Sequence, residues 1–180
     1  MKLKLLILVL ALQSAWLLGT VAVQEHALAT GKVILLETQR IDPRDLLQGD
    51  YLILNYKISN VPTNLFSPPV RKDLPYGTKI FVALAPGTNQ FHVVTRASTN
   101  EFTPSVNEVL LRGKSSYGWW GRNTTNTVHV EYGLERFYVA EGTGNPTGKL
   151  TAQVVVSASG CGHIKEVFVD GKPCAGVMKQ

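Results

Sequence analysis

The sequence predicts an all-β domain, an antiparallel β-sandwich or barrel-like fold, held outside the cytoplasm behind one N-terminal transmembrane helix. Three observations predict it. An apolar run, Leu5 to Val23, follows directly on Lys2 and Lys4. Beyond it, β-branched and aromatic residues come in short stretches separated by Gly, Pro and Asn clusters, the composition of strands and turns. No stretch after Val23 carries the 3.6-residue apolar period of an amphipathic helix, and there is no repeat or heptad. Short strands at this spacing close into a sandwich or a barrel. A chain of 180 residues with part of its length in a membrane segment has room for one such domain.

The apolar run is interrupted only by Gln13, Ser14, Gly19 and Thr20. Crossing a bilayer as a helix takes about 20 apolar residues. Lysines precede the run, and Glu25 and His26 follow it, so the positive-inside rule puts the N-terminus in the cytoplasm. A cleaved signal has an apolar region of about 7–15 residues and then a small-x-small site. This run is longer, and Thr20-Val21-Ala22 and Ala27-Leu28-Ala29 are poor sites. Residues 1–23 therefore read as an uncleaved signal anchor, 24–32 as a juxtamembrane spacer ending near Gly31, and 33–180 as the extracytoplasmic domain.

Within that domain Val33 to Thr38 reads as a strand, interrupted by Asp42, Pro43, Arg44 and Asp45; Leu46 and Leu47 suit one helical turn. Gly49 and Asp50 then form a tight turn, since glycine takes unusual backbone angles and aspartate bonds its own neighbouring backbone. Tyr51 to Ser59 follows as one strand. Leu52, Leu54, Tyr56 and Ile58 make its apolar face and Tyr51, Ile53, Asn55 and Lys57 its mixed face. Asn60 to Tyr76 holds Pro62, Pro68, Pro69 and Pro75 and reads as an irregular loop. Its Val61, Leu65, Phe66 and Val70 have either to pack back onto the sheet or to meet a partner. Lys79–Leu84 and Phe91–Ala97 form a hairpin across Ala85–Gln90, with further strands at Glu108–Gly113, Thr127–Tyr132 and Leu134–Val139. After a Gly-rich loop, Leu150–Ser157 and His163–Val169 pair across Ser159-Gly160-Cys161-Gly162, and Asp170-Gly171-Lys172 makes the last turn.

Net charge is +5, but Lys2 and Lys4 supply two of those charges and the rest of Lys and Arg is scattered. A nucleic-acid reader concentrates them in one aromatic-studded patch, so nucleic acid is not an expected partner. His26, His92, His129 and His163 have no second ligand at metal spacing beyond the pair His129 and Glu131, and structural zinc takes four ligands. No metal or cofactor is expected. Cys161 and Cys174 are the candidates for a disulfide, which an oxidising compartment permits. A long strand lies between them, and a bridge needs Cα atoms within about 4.4–6.8 Å.

Trp119 and Trp120, between Gly118 and Gly121, are the candidate interface, because tryptophan favours binding surfaces and lipid headgroups. Arg44, Glu131, Glu135 and Arg136 are a candidate charge cluster, with Glu135 and Arg136 placed to pair with Arg44 or Asp50 and fix the turn. With no nucleophile beside them, the cluster reads as structural. Lys57 and Ser59 lie two apart on one strand face. The Gly-Asp turn before an apolar strand is similar to that of membrane-bound serine signal peptidases, but the Ser-Met-x-Pro signature of those enzymes is missing upstream.

The stretch Gly49-Asp50-Tyr51-Leu52-Ile53-Leu54-Asn55-Tyr56 matches letter for letter the signature of the bacterial GDYXXLXY family. Asp42 to Leu47, Val130 to Phe137, and Val169 to Lys172 resemble it too, so the resemblance covers nearly the whole chain. It implies a small protein of the bacterial inner membrane with no reaction attached, and a multi-pass integral membrane protein as partner. Gly49, Asp50, Tyr51, Leu54 and Tyr56 become the candidate structural or binding motif. The expectation is a membrane-anchored envelope protein acting as a non-enzymatic binding or assembly module. The alternatives are a membrane-tethered hydrolase on a signal-peptidase-like β scaffold, and a periplasmic ligand or envelope-polymer binder.

Overall fold

The N-terminal apolar run is carried by one helix, α1 (Lys2–Thr30). The uncharged stretch from Leu5 to Val23 is about 29 Å long at 1.5 Å per residue, close to the hydrocarbon thickness of about 30 Å. Every described side chain from Lys4 to Thr30 is exposed. Leu12 and Trp16 are 72% and 74% accessible, so the domain covers none of this apolar surface. The helix runs on through most of the expected spacer, because Gln24, Glu25, Leu28 and Ala29 are serviceable helix formers. Only Gly31 separates it from the first strand.

The computed structural model describes residues 2–39, 51–70, 74–117, 126–138 and 148–174. Its strands are β1 (Lys32–Gln39), β2 (Tyr51–Ile53), β3 (Asn55–Tyr56), β4 (Asn60–Pro62), β5 (Lys79–Pro86), β6 (His92–Ser98), β7 (Val109–Ser116), β8 (Thr127–Glu131), β9 (Arg136–Tyr138), β10 (Leu150–Val156), β11 (Gly162–Val169) and β12 (Lys172–Pro173). One antiparallel sheet has the order β12-β11-β10-β1-β3, a second the order β4-β8-β7-β5-β6, and β2 and β9 form a separate ribbon. Ile34, Leu36, Ala152 and Val154 of the first sheet share one core with Val82, Leu84, Leu111 and Val130 of the second. The all-β expectation holds, in its sandwich form.

Tyr51–Ser59 is not the single strand expected. It breaks at Leu54, resumes as β3 and ends in a 3-10 turn, Lys57–Ser59. The reason is long-range pairing. β2 pairs with β9, β3 with β1 and β4 with β8, so this stretch passes from one sheet to the other. The apolar face survives the break: Leu54 and Tyr56 are 0% exposed and Ile58 5%.

The proline-rich stretch after it also departs from the expected loop. Asn60–Pro62 forms an edge strand, where a missing N–H is tolerated. Phe66 bridges Ala97 of β6 and is buried, as is Val61. Val61 and Phe66 therefore pack back into the core, with Val70 packed against it. At the far end of the chain, Asp170 and Gly171 both take positive φ (48° and 79°), as a two-residue hairpin between β11 and β12 requires.

Candidate functional site

Leu54 and Tyr56 of the signature meet the turn between β8 and β9, which carries Tyr132, Gly133, Leu134 and Glu135. The Leu54 N–H donates to the Glu135 carbonyl at 2.8 Å. The Tyr56 hydroxyl donates to the Leu134 carbonyl at 2.8 Å. In return, the Tyr132 hydroxyl donates to the Ile58 carbonyl at 2.8 Å. Two buried tyrosines thus reach across the core in opposite directions, each satisfying a backbone carbonyl beside the other's strand. A buried carbonyl needs such a partner. Burial pushes both phenol pKa values far up, with the Glu135 charge adding to it, so both stay protonated donors.

Glu135 folds back on its own turn. Its carboxylate accepts the Tyr132 N–H at 2.6 Å, and Gly133 between them sits at φ 77°. Burial raises the Glu135 pKa above its ordinary 4.5; backbone N–H groups of the turn pull the other way, and Glu131 nearby adds to the rise. A raised folded-state pKa favours folding below the unfolded value, and that contribution is lost as pH rises through the folded one. Glu135→Gln keeps an acceptor for Tyr132 and removes the charge. Denaturant melts across pH should show the variant gaining on the wild type near neutral pH, with the gap closing toward pH 4.5. A variant less stable at every pH would mean that the charge-assisted bonds outweigh the desolvation.

The Val169–Lys172 motif is also spent on backbone. Asp170 accepts the Lys149 N–H at 2.7 Å on Oδ1 and donates its own N–H to the Lys149 carbonyl at 3.0 Å, tying the β11–β12 turn to the start of β10. Lys149 and Lys57 both contact Glu37 of β1, at 2.7 Å each. Those two ammonium groups hold the Glu37 carboxyl below its usual range.

Lys57 is exposed and committed to Glu37, whereas Ser59 is buried at 1%. The 3-10 turn therefore separates the environments of two residues that a continuous strand would have placed on one face. Of the charge cluster, Glu131 accepts the Ser116 hydroxyl at 2.6 Å, Glu135 caps its own turn, and Arg136 is exposed on β9. His129 lies 3.0 Å from the Asn60 side-chain oxygen. Cys161 and Cys174 do not form the disulfide considered above. They lie at opposite ends of the eight-residue β11, and at about 3.4 Å per residue that is far beyond a disulfide's reach. Gly49, Asp50, Arg44, Trp119, Trp120 and the Asp42–Leu47 motif lie outside the described residues. Tyr51 is described through its backbone, which pairs with Tyr138.

Sequence reasoning singled out Tyr56 but not its counterpart. Tyr132 stood inside the Val130–Phe137 motif, and that quoted motif was the signal available. Nothing local marked Glu37 as the meeting point of two lysines.

The fold and the clasped motifs define a class: an antiparallel β-sandwich, joined through one glycine to an N-terminal helix long and apolar enough to cross a membrane, and locked by signature residues acting on backbone. The family model described as GDYXXLXY protein matches residues 13–167, and the chain belongs to that family. No curated protein and no solved structure matches the chain.

Proposed function

We propose that the protein is a single-span, N-in membrane protein whose extracytoplasmic sandwich serves as a non-enzymatic binding or assembly module for an integral membrane partner. The observation that carries this reading is α1. Its described apolar side chains, from Leu5 onward, are all exposed, and the domain offers these no cover. Lipid or a neighbouring transmembrane helix is the surface such a helix fits. The lysines ahead of the run support a cytoplasmic N-terminus. Support for a non-catalytic role comes from the motifs themselves, whose described residues hold backbone groups. Lys57 and Ser59, the pair on which a hydrolase would rest, stand in unlike surroundings.

The test is co-purification from native membranes in mild detergent with a tag after Gln180. The expected result is a stoichiometric multi-pass protein. Recovery of the chain alone across several detergents would contradict the assembly reading. Labelling by an active-serine probe that disappears in Ser59→Ala would replace it with the hydrolase.

A further inference from the structure

Inside its apolar run α1 carries the polar side chains Gln13, Ser14 and Thr20. Hydrocarbon offers them no partner, so each has to find one in protein. Thr20 does so within its own helix, where its hydroxyl donates to the Leu17 carbonyl at 2.8 Å. A serine can do likewise by turning onto the carbonyl four residues back, which for Ser14 is that of Leu10. Gln13 has no such way out. Its amide brings two N–H donors and a carbonyl with two lone pairs. The side chain is exposed and makes no hydrogen bond to any described residue.

Gln13 is also too deep to reach water. The run from Leu5 to Val23 is centred on Ser14. Gln13 therefore lies next to the midplane, about 15 Å from either interface of a hydrocarbon layer about 30 Å thick. Long charged side chains near helix ends reach the headgroups; an amide on two methylenes at the centre does not. The sandwich starts only after Gly31 and covers none of the described side chains of the helix.

We propose that a second copy of the chain supplies the partner: two α1 helices pack in parallel, with their Gln13 amides hydrogen-bonded to one another across the two-fold axis. It rests on the reading of α1 as a membrane-spanning helix. The chemistry selects the occupant. A partner for Gln13 has to offer a donor and an acceptor together, at the same depth. An identical helix inserted in the same sense brings an amide to that depth by symmetry, and each amide donates an N–H to the carbonyl of the other. Polar pairs of this kind hold transmembrane helices together. At about 100° of rotation per residue, Leu6, Leu10, Leu17 and Thr20 fall on the Gln13 side of the helix and pack around the pair, whereas Ala15 and Ala22 point away.

Cysteine cross-linking of the full chain in its native membranes tests this, in a Cys161→Ser, Cys174→Ala background whose fold is checked by circular dichroism. Under mild oxidation Leu10→Cys and Leu17→Cys should each give a disulfide-linked species of twice the chain's mass, while Ala15→Cys and Ala22→Cys stay single. Adding Gln13→Leu should abolish the product at position 17, and adding Gln13→Asn, which keeps the amide, should retain it. An undiminished dimer in Gln13→Leu, or equal cross-linking at positions 15 and 17, overturns the amide pair. No dimer at position 10 or 17, in a chain that resists carbonate extraction, overturns the second copy and leaves the anchor standing. Release of the chain by carbonate overturns both.

Discussion

Tyr56→Ala should bring the largest loss of stability of any single change in the sandwich. The ring is fully buried among residues of both sheets, and truncating a large buried aromatic costs about 3–5 kcal/mol. Its hydroxyl is the partner of the Leu134 carbonyl, and leaving that group unsatisfied adds about 1–3 kcal/mol. Domains of this size are stable by only about 5–15 kcal/mol. The variant should lose its near-ultraviolet circular dichroism, or unfold at much lower denaturant, with α1 still helical in detergent. A melt within experimental error of the wild type would mean that Tyr56 does not hold the two sheets together.

Gly113→Ala should be the second-largest effect for its size, since one methyl group has nowhere to go. A Cβ at this position in β7 would stand 2.5 Å from Val130 Cγ1, 2.8 Å from the Glu131 carbonyl oxygen and 3.0 Å from the Tyr132 ring. The middle contact is backbone, so it cannot rotate away; β8 itself has to move, and Tyr132 with it. Overpacking of this kind typically costs about 1–3 kcal/mol, and Gly113→Val should cost more. The same exchange at Gly19, where nothing lies within 4 Å, should be silent in the domain's melt and serves as the control. Equal melts for the two alanine variants would contradict the close β7–β8 approach.

Much of the fold was legible because the period-two pattern is a local property. Leu54, Tyr56 and Ile58 were assigned to the core from alternation, and burial bears this out. The hairpin of β5 and β6 followed from its turn composition, and the final Asp170-Gly171 turn from its dipeptide. The break in the signature strand was not legible, because nothing in Ile53-Leu54-Asn55-Tyr56-Lys57 disfavours an extended chain. It breaks because β9, β1 and β8, all distant in sequence, are its successive partners. Pro62 argued for a loop, yet at a sheet edge the missing N–H costs no ladder bond.

The clasp lay beyond reach for a related reason. Its acceptors are the carbonyls of Leu134 and Ile58, 78 and 74 residues away from their donors, and a carbonyl has no sequence signature. Glu135 was expected to seek a cation, but its short reach back to Tyr132 satisfies it first. The apolar helix, by contrast, was readable from length and hydropathy alone, with only its extension to Thr30 left to the structure.

Two tyrosine hydroxyls, that of Tyr56 in the signature and that of Tyr132 in the Val130–Phe137 motif, act in opposite directions between the same two segments and lock them together. The most direct test is a double-mutant cycle of Tyr56→Phe and Tyr132→Phe, read by urea unfolding of the full chain in nanodiscs. Each single variant should lose about 1–3 kcal/mol for its orphaned carbonyl. The double variant should lose less than the sum, since the two bonds brace one another, with a coupling of about 0.5–3 kcal/mol. Single variants that unfold at the wild-type urea concentration, yet no longer co-purify with a membrane partner, would contradict the lock and make the signature a binding site.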